Sequence, residues 1–168
     1  MIEMPRIYCF DTNVLIQAWR TYYSPNFCGE YWNVLNELGK RQCIFLPRAV
    51  FDEIVGMDDD LANWLKASDI PKLPRDEAVI NCWKAILARD PLHKHLVDNI
   101  KQRSLADPWV IAHAMKENAC VVTKEIKETA VSTKRIKIPN VCETMMVPWI
   151  NDFQFIEELN IQFSCSIS

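Results

Sequence analysis

Short apolar runs alternate with helical patterns in the first part of the chain. Strands are predicted over 6–10 and 43–46, where the apolar runs 7–10 and 43–46 have the length that is typical of buried strands. The first run is followed by an amphipathic pattern through Trp19, which predicts a helix. A turn-rich loop over 21–29 and a second helix over about 30–38 are then expected before the second strand.

Glycine and proline mark the next predicted boundaries. Gly39 is expected to end the second helix, and Pro47 to open a third one. The apolar residues of this third helix recur at helical spacing and are Val50, Ile54, Met57 and Leu61. At 100° per residue, Glu53 lies about 60° from Val50, beside the buried stripe, whereas Asp52 lies nearly opposite. We therefore expect Glu53 to face inward and Asp52 to face solvent.

The region 62–103 differs from its neighbours because its pattern is helical, polar and interrupted by proline. The interruptions are at Pro71, Pro74 and Pro91. We predict two or three helices here and no strands. The chain as a whole, 1–168, is expected to be one domain, with 62–103 as a helical insertion or arm within it.

The last part of the chain returns to alternating elements. A helix is predicted over 107–117, where Asp107 and Pro108 form an opening typical of helices, and a strand over 119–123. Residues 137–138 are expected to add a short fourth strand, and 147–149 an edge strand because Pro148 has no N–H to donate. A helix over 152–159 is expected to close the domain. Strands that alternate with helices predict an α/β fold with a parallel sheet and helices on both faces.

Composition narrows the class of protein. The chain has 168 residues, 49% of them hydrophobic and 24% charged, which suits one globular core. Three glycines and the absence of a Gly-rich motif exclude the common phosphate loops. Seven cysteines lack paired spacing, and neither a signal peptide nor a membrane span is apparent. We expect a cytoplasmic protein that does not contact a membrane.

Charge is distributed unevenly along the chain. The net charge of −3 argues mildly against a dedicated nucleic-acid binder. Acidic residues outnumber basic ones over 50–80, whereas basic residues outnumber acidic ones over 84–103 and 124–137. This distribution fits a metal site flanked by phosphate-contacting lysines, and it equally fits an ordinary solvated surface.

Four acidic residues lie where apolar runs end or helices begin. They are Asp11, Glu53, Asp107 and Glu125. Taken singly, each has a structural interpretation: Asp11 and Asp107 can cap helices, Glu53 beside the buried stripe can be an ordinary surface acid, and Glu125 suits a first helical turn. The polar neighbours that can support such a site are Thr12, Asn13, Ser104 and Thr123.

The conjunction of these acids is more informative than any one of them. Two carboxylates about 4 Å apart repel by about 4 kcal/mol at an effective dielectric constant near 20. A cluster of four therefore needs protons or a cation to be stable, and oxygen ligands prefer Mg²⁺ or Mn²⁺. Such an ion polarises a phosphoryl oxygen and activates water, so phosphodiester hydrolysis would need no nucleophilic side chain.

Other chemistries are weaker hypotheses. A zinc site built on His93, His95 and His113 lacks a metal-spaced cysteine pair. A catalytically inactive protein- or RNA-binding module, with its acids capping helices, stays open. A phosphatase or phosphotransfer domain that uses Asp11 as nucleophile also stays open, although its usual second Asp is replaced by Asn13.

The acidic motifs, taken in order, resemble those of PIN domains. They are Phe10-Asp11-Thr12-Asn13, Pro47 to Glu53, Ala106-Asp107-Pro108 with Ile111-Ala112-His113-Ala114, and Val121-Val122-Thr123-Lys124-Glu125. The resemblance covers the chain from about residue 5 to about residue 150. The tail 137–142 resembles a PIN-like subfamily that is catalogued mainly as a domain of unknown function.

This resemblance implies a three-layer α/β/α sandwich with a central, mostly parallel sheet. It implies a metal-dependent endoribonuclease, commonly the toxin of a toxin–antitoxin pair, with RNA as substrate and a protein antitoxin as partner. By motif match Asp11, Glu53 and Asp107 would be metal ligands and Glu125 the fourth acid, where Asp is usual, with Thr123 supporting the Mg²⁺ or Mn²⁺ site. The long segment 57–103 implies either arms through which a homodimer forms or a substrate-specific cap.

Overall fold

The computed structural model describes residues 6–97 and 105–168. Its strands, in chain order, are β1 (Tyr8–Phe10), β2 (Ile44–Pro47), β3 (Lys72–Leu73), β4 (Cys120–Val122) and β5 (Trp149–Ile150). Its α-helices are α1 (Thr12–Arg20), α2 (Pro25–Lys40), α3 (Arg48–Val55), α4 (Asp60–Ala67), α5 (Glu77–Arg89), α6 (Asp107–Glu117), α7 (Ile138–Thr144) and α8 (Asp152–Glu158), and a 3₁₀ helix spans Pro91–Leu96.

The five strands form one parallel sheet in the order β3-β2-β1-β4-β5. Cys9 of the central strand aligns with Phe45 on one side and with Val121 on the other. Every residue of β1, β2 and β4 is buried, as expected for strands covered on both faces. The apolar runs that predicted these three strands are confirmed.

Helices cover both faces of the sheet, and β1 shows how. Tyr8 and Phe10 each meet the ring of Phe155 in α8 edge to face, with centroids 5.0 and 4.9 Å apart. The thiol of Cys9 instead donates to the carbonyl oxygen of Val110 in α6 at 3.5 Å. Because successive side chains of a strand point to opposite faces, α8 and α6 lie on opposite sides. The predicted α/β/α sandwich is confirmed.

The second helix is longer than predicted. It begins at Pro25, so part of the expected loop over 21–29 is helical, with a kink at Cys28. Gly39 lies inside the last turn of the helix and does not end it. A Cβ at Gly39 would stand 2.7 Å from the Cα of Ile70, so the glycine permits close packing between two segments.

The third helix is shorter than predicted. It ends at Val55, Met57 is 41% exposed, and Leu61 belongs to the next helix. The chain reverses at Asp58, which has a left-handed backbone with a φ of 49°, before Asp59 caps α4 through its side chain. The apolar residues that suggested one long helix therefore belong to two helices, α3 and α4, that both pack on the core.

The expectation that 62–103 contains no strands is wrong. Within the described part of this segment, β3 pairs with β2 in parallel at one edge of the sheet. Its two residues are too few to show an alternating pattern. The helices expected here are present, and Val79 and Ile86 of α5 are buried in the core. The function of this segment as an arm or a cap stays a prediction.

Two predictions for the last part of the chain also changed. Residues 137–138 do not form a strand, because Ile138 opens α7 and its Pro139 suits a first helical turn. The expected edge strand is present one to two residues later, as β5, and Pro148 contributes its carbonyl oxygen to the N–H of Val121. Within the described residues, no helix is both long and apolar enough to cross a membrane.

Candidate functional site

The carboxyl end of the sheet gathers the first candidate residues. Asp11 directly follows β1, and Thr123 directly follows β4, the neighbouring parallel strand. The backbone N–H of Asp11 donates to the carbonyl oxygen of Val122 at 3.0 Å. The side chain of Asp11 caps α1, accepting from the N–H of Thr12 at 2.8 Å, and is almost completely buried. Asp11 is therefore held rigidly where ligands bind in parallel α/β folds.

Thr123 connects two of the predicted acids. Its hydroxyl donates to Oδ2 of Asp11 at 3.0 Å and accepts from the backbone N–H of Glu125 at 3.1 Å. Thr123 is fully buried. Its hydroxyl fixes both the Asp11 carboxylate and the turn that carries Glu125.

Glu53 joins the group from α3. The hydroxyl of Thr12 donates to Oε2 of Glu53 at 3.2 Å, so Glu53 lies beside the start of α1. Its neighbour Asp52 is exposed and pairs with Nε of Arg48 at 2.9 Å. The helical spacing predicted this difference between the two acids correctly.

Glu125 acts on Asp11 through its charge, while one of its carboxylate oxygens is bound elsewhere. Its Oε2 accepts a hydrogen bond from the backbone N–H of Ile138 at 2.7 Å, which ties the end of β4 to the start of α7. Its charge is nonetheless close enough to be the second largest influence on the pKa of Asp11, after burial.

Asp107 lies in the first turn of α6 and is 5% exposed. The N-cap position of this helix is Ala106, so Asp107 does not occupy the capping position that its sequence suggested. Since α6 leads into β4 through a short turn, it runs antiparallel to the strands. Asp107 is thus one helical turn nearer the carboxyl end of the sheet than Val110, which contacts Cys9 of β1.

The surroundings of Asp11 disfavour the charged form of its carboxyl group. Burial, the charge of Glu125 and the charge of Glu53 raise the pKa of Asp11 to about 7, against the opposing effect of hydrogen bonds from Thr123 and Thr12. A carboxylate in this position gains from any nearby positive charge.

The donor types suit a hard divalent cation, since all four acids offer oxygen. Within residues 6–97 and 105–168, however, no three His, Cys, Asp or Glu side chains are grouped closely enough to hold a metal ion. The structure therefore brings Asp11, Glu53 and Glu125 into electrostatic contact without forming a complete coordination shell.

The remaining predicted residues lie around this group. Thr12 is buried and bonded to Glu53, and Asn13 is exposed. Ser104 lies outside the described residues.

A groove of about 690 Å³ opens beside the acids, with Asn13 and Glu125 in its wall. Its basic residues are Arg20, Lys124 and Lys137. Lys124 is bound by Asp152, whose side chain is fully buried, at 2.8 Å. The hydroxyl of Tyr22 donates to the same Asp152 at 2.9 Å. Sequence reasoning missed this network, and the only signal was the position of Lys124 directly after Thr123.

The fold resembles that of a solved structure. The match is to a chain in the crystal structure of VapBC2 from Rickettsia felis bound to a DNA fragment from their promoter. The TM-score is 0.53 at 20% identity, and the match covers 86% of this chain and 98% of that chain. At this identity the likeness concerns the fold alone, and it supports a PIN-like α/β sandwich.

The sequence itself establishes the family. Residues 8–163 match the family described as Domain of unknown function (DUF4411), and the chain belongs to that family. Comparison with curated proteins gives no match. The predicted α/β sandwich is confirmed, whereas the family model gives only a family of unknown function, so membership of the PIN family stays a prediction.

Proposed function

We propose that this protein is a divalent-metal-dependent endoribonuclease that acts as the toxin of a toxin–antitoxin pair. The observation that carries the proposal is the burial of Asp11 against Glu125 and Glu53, which raises the pKa of Asp11 to about 7. A fold gains nothing in stability from burying an acid among acids, so such an arrangement is typical of a functional site.

In the proposal, Asp11, Glu53 and Asp107 hold Mg²⁺ or Mn²⁺, directly or through water, and Glu125 completes the acidic set. When bound, the divalent ion would supply a polarised phosphoryl oxygen and an activated water. The Thr123 hydroxyl orients Asp11, and the Thr12 hydroxyl orients Glu53. Ser104 is proposed to support the acidic residues only because of its position in the sequence.

The groove beside the acids is the proposed path of the RNA. Arg20 and Lys137 in its wall supply positive charge, although Arg20 also pairs with Asp59 at 3.4 Å. Lys124 contributes little net charge because Asp152 neutralises it. We therefore expect binding to RNA that is modest and sensitive to salt, which agrees with the net charge of −3.

The proposed partner is a protein antitoxin. The support for it is the fold shared with a chain of a VapBC complex, together with the PIN-like motifs of this sequence. A homodimer formed through the segment 57–103 is part of the same proposal.

A catalytically inactive binding module is the second candidate. It is favoured by the structural hydrogen bonds that the acids already make, since Asp11 caps α1 and Glu125 binds the N–H of Ile138. It predicts no change in melting temperature with Mn²⁺. The nuclease predicts a rise, because an ion at 100 times its Kd adds about 2.7 kcal/mol of stability.

Cleavage of single-stranded RNA in the presence of Mn²⁺ tests the proposal directly. We expect products that disappear with EDTA and with either Asp11→Asn or Asp107→Asn. Asp60→Asn, a change at an exposed acid of α4, is the matched control and should leave cleavage intact. Cleavage that persists in both site variants would remove the proposed site, and its absence in the parent protein would favour the binding module.

A further inference from the structure

Basic residues also lie at the carboxyl end of the sheet, where they follow β2 and β3. Arg48 directly follows β2, and Arg75 lies two residues after β3. In the strand order β3-β2-β1-β4, β2 is the neighbour of β1, which Asp11 follows, and β3 is the next strand beyond it. Because neighbouring strands are about 4.8 Å apart, Arg48 and Arg75 follow strands that lie one and two such spacings from β1. The carboxyl end of the sheet thus changes from acidic at β1 and β4 to basic at β2 and β3.

A small cavity lies between these arginines. Its volume is about 110 Å³, and its wall is formed by the start of α3, the segment after β3 and the first two turns of α6. The charged and aromatic residues in that wall are Arg48, Asp52, Arg75, Trp109 and His113. The cavity is lined by residues of α3, the helix that carries Glu53, and of α6, the helix that carries Asp107.

The two arginines are arranged differently. The guanidinium of Arg75 lies 3.7 Å from the centre of the Trp109 ring, a stacking that fixes its plane and leaves its edge available to an acceptor. Arg48 uses Nε to bind Asp52 at 2.9 Å. A guanidinium carries five N–H donors, so this ion pair does not exhaust Arg48, and the wall retains one more positive than negative side chain.

His113 adds a buried polar group to the same wall. It is 2% exposed, and its Nδ1 has no hydrogen-bond partner among the described residues. Burial lowers the pKa of His113 to about 4, so its ring is neutral near pH 7 and carries one N–H. Nδ1 itself is shielded from solvent, so His113 lines the cavity through other atoms of the residue.

We propose that this cavity, which we call the arginine pocket, binds a phosphate of the RNA strand next to the one that is cleaved. This inference rests on the proposed nuclease function and adds a subsite to it. An extended strand that crosses the carboxyl end of the sheet meets the acids at β1 and β4 and then the arginines at β2 and β3. The pocket would hold the strand in register for cleavage.

RNA binding by an Asp11→Asn protein, which should leave the strand uncut, tests the pocket. The probe is a fluorescent single-stranded RNA of mixed sequence, with anisotropy measured between about 50 and 200 mM salt. Arg48→Gln and Arg75→Gln are each introduced into this background. The matched control is Arg41→Gln, since Arg41 pairs with Glu37 at 2.9 Å four residues away, as Arg48 does with Asp52, but follows α2 at the opposite end of the sheet.

We expect each pocket variant to weaken binding by about tenfold, the effect of one charged hydrogen bond. The slope of log affinity against log salt should become shallower by about 0.7 for each phosphate of the single strand that the variant no longer neutralises. The His113 ring resonances should shift on addition of RNA to the Asp11→Asn protein, and not when Arg75→Gln is also present. Arg41→Gln should change none of these measurements.

The outcomes separate the two proposals. If the parent binds RNA and the pocket variants bind it with the same affinity and salt slope, the pocket is overturned while the nuclease proposal stands. If binding depends on the arginines but metal-dependent cleavage is never seen, the pocket is supported only as a phosphate-binding site, and its place beside a cleaved phosphate is overturned with the nuclease. If the Asp11→Asn protein does not bind RNA at all, the pocket and the nuclease proposals are both overturned.

Discussion

The hydroxyl of Thr123 donates a hydrogen bond to Oδ2 of Asp11 at 3.0 Å, joining residues that are 112 positions apart in sequence. The same hydroxyl accepts from the backbone N–H of Glu125. One buried hydroxyl therefore sets the orientation of one candidate ligand and the position of another, which is the usual part of a residue that supports a metal site.

Replacing Thr123 with Val removes this hydroxyl and keeps the shape of the side chain. We expect the affinity for Mn²⁺ to fall by about 10- to 100-fold, as for other losses of supporting hydrogen bonds. Titration calorimetry measures this directly. Thr123→Ser restores the hydroxyl and should recover most of the affinity, whereas a valine variant that binds Mn²⁺ like the parent would show that Thr123 has only a structural role.

The raised pKa of Asp11 predicts an unusual pH dependence of stability in EDTA. The folded protein holds the Asp11 proton up to about pH 7, whereas an unfolded Asp releases it near pH 3.9. The folded state therefore binds more protons between these values, and stability falls as pH rises from about 4 to about 7. The loss attributable to Asp11 is about 4 kcal/mol at most.

Urea unfolding at pH 5 and pH 8 measures this effect. Asp11→Asn cannot ionise, so its stability should decline less between the two pH values than that of the parent, and the variant should be the more stable protein at pH 8. An identical decline in both proteins would contradict the assignment of the raised pKa to Asp11.

Lys124 is predicted to stabilise the fold through Asp152. The two side chains are 2.8 Å apart and the Asp152 side chain is fully buried, so Lys124→Met would leave a buried charge without its cation. We expect a loss of about 3 to 5 kcal/mol in the free energy of unfolding. Lys66→Met, at an exposed position of α4, should cost far less in the same denaturant titration. A small effect at Lys124 would mean that the Tyr22 hydroxyl suffices for Asp152.

The part of the fold that could be predicted is the part with a repeating pattern. The strands β1, β2 and β4 are buried throughout, and their apolar runs predicted them. The strands β3 and β5 have two residues each, which is too short for any pattern, and β3 was missed. The predicted strand at 137–138 proved to be the start of a helix.

The candidate site was predictable where one element determines a side chain's direction. Helical spacing distinguished Glu53 from Asp52, and strand ends identified Asp11. Contacts between distant segments left no such signal. The bond from Ile138 to Glu125, the Lys124–Asp152 pair and the packing of Arg75 on Trp109 all depend on tertiary structure.

Anomalous diffraction from a crystal soaked in Mn²⁺ tests the central claim most directly. We predict one strong peak at the carboxyl end of β1, within coordination distance, about 2.1 Å, of an Asp11 carboxylate oxygen. Asp107 and Glu53 should contact the same ion directly or through one water. Saturating Mn²⁺ with no peak near Asp11 would contradict the account.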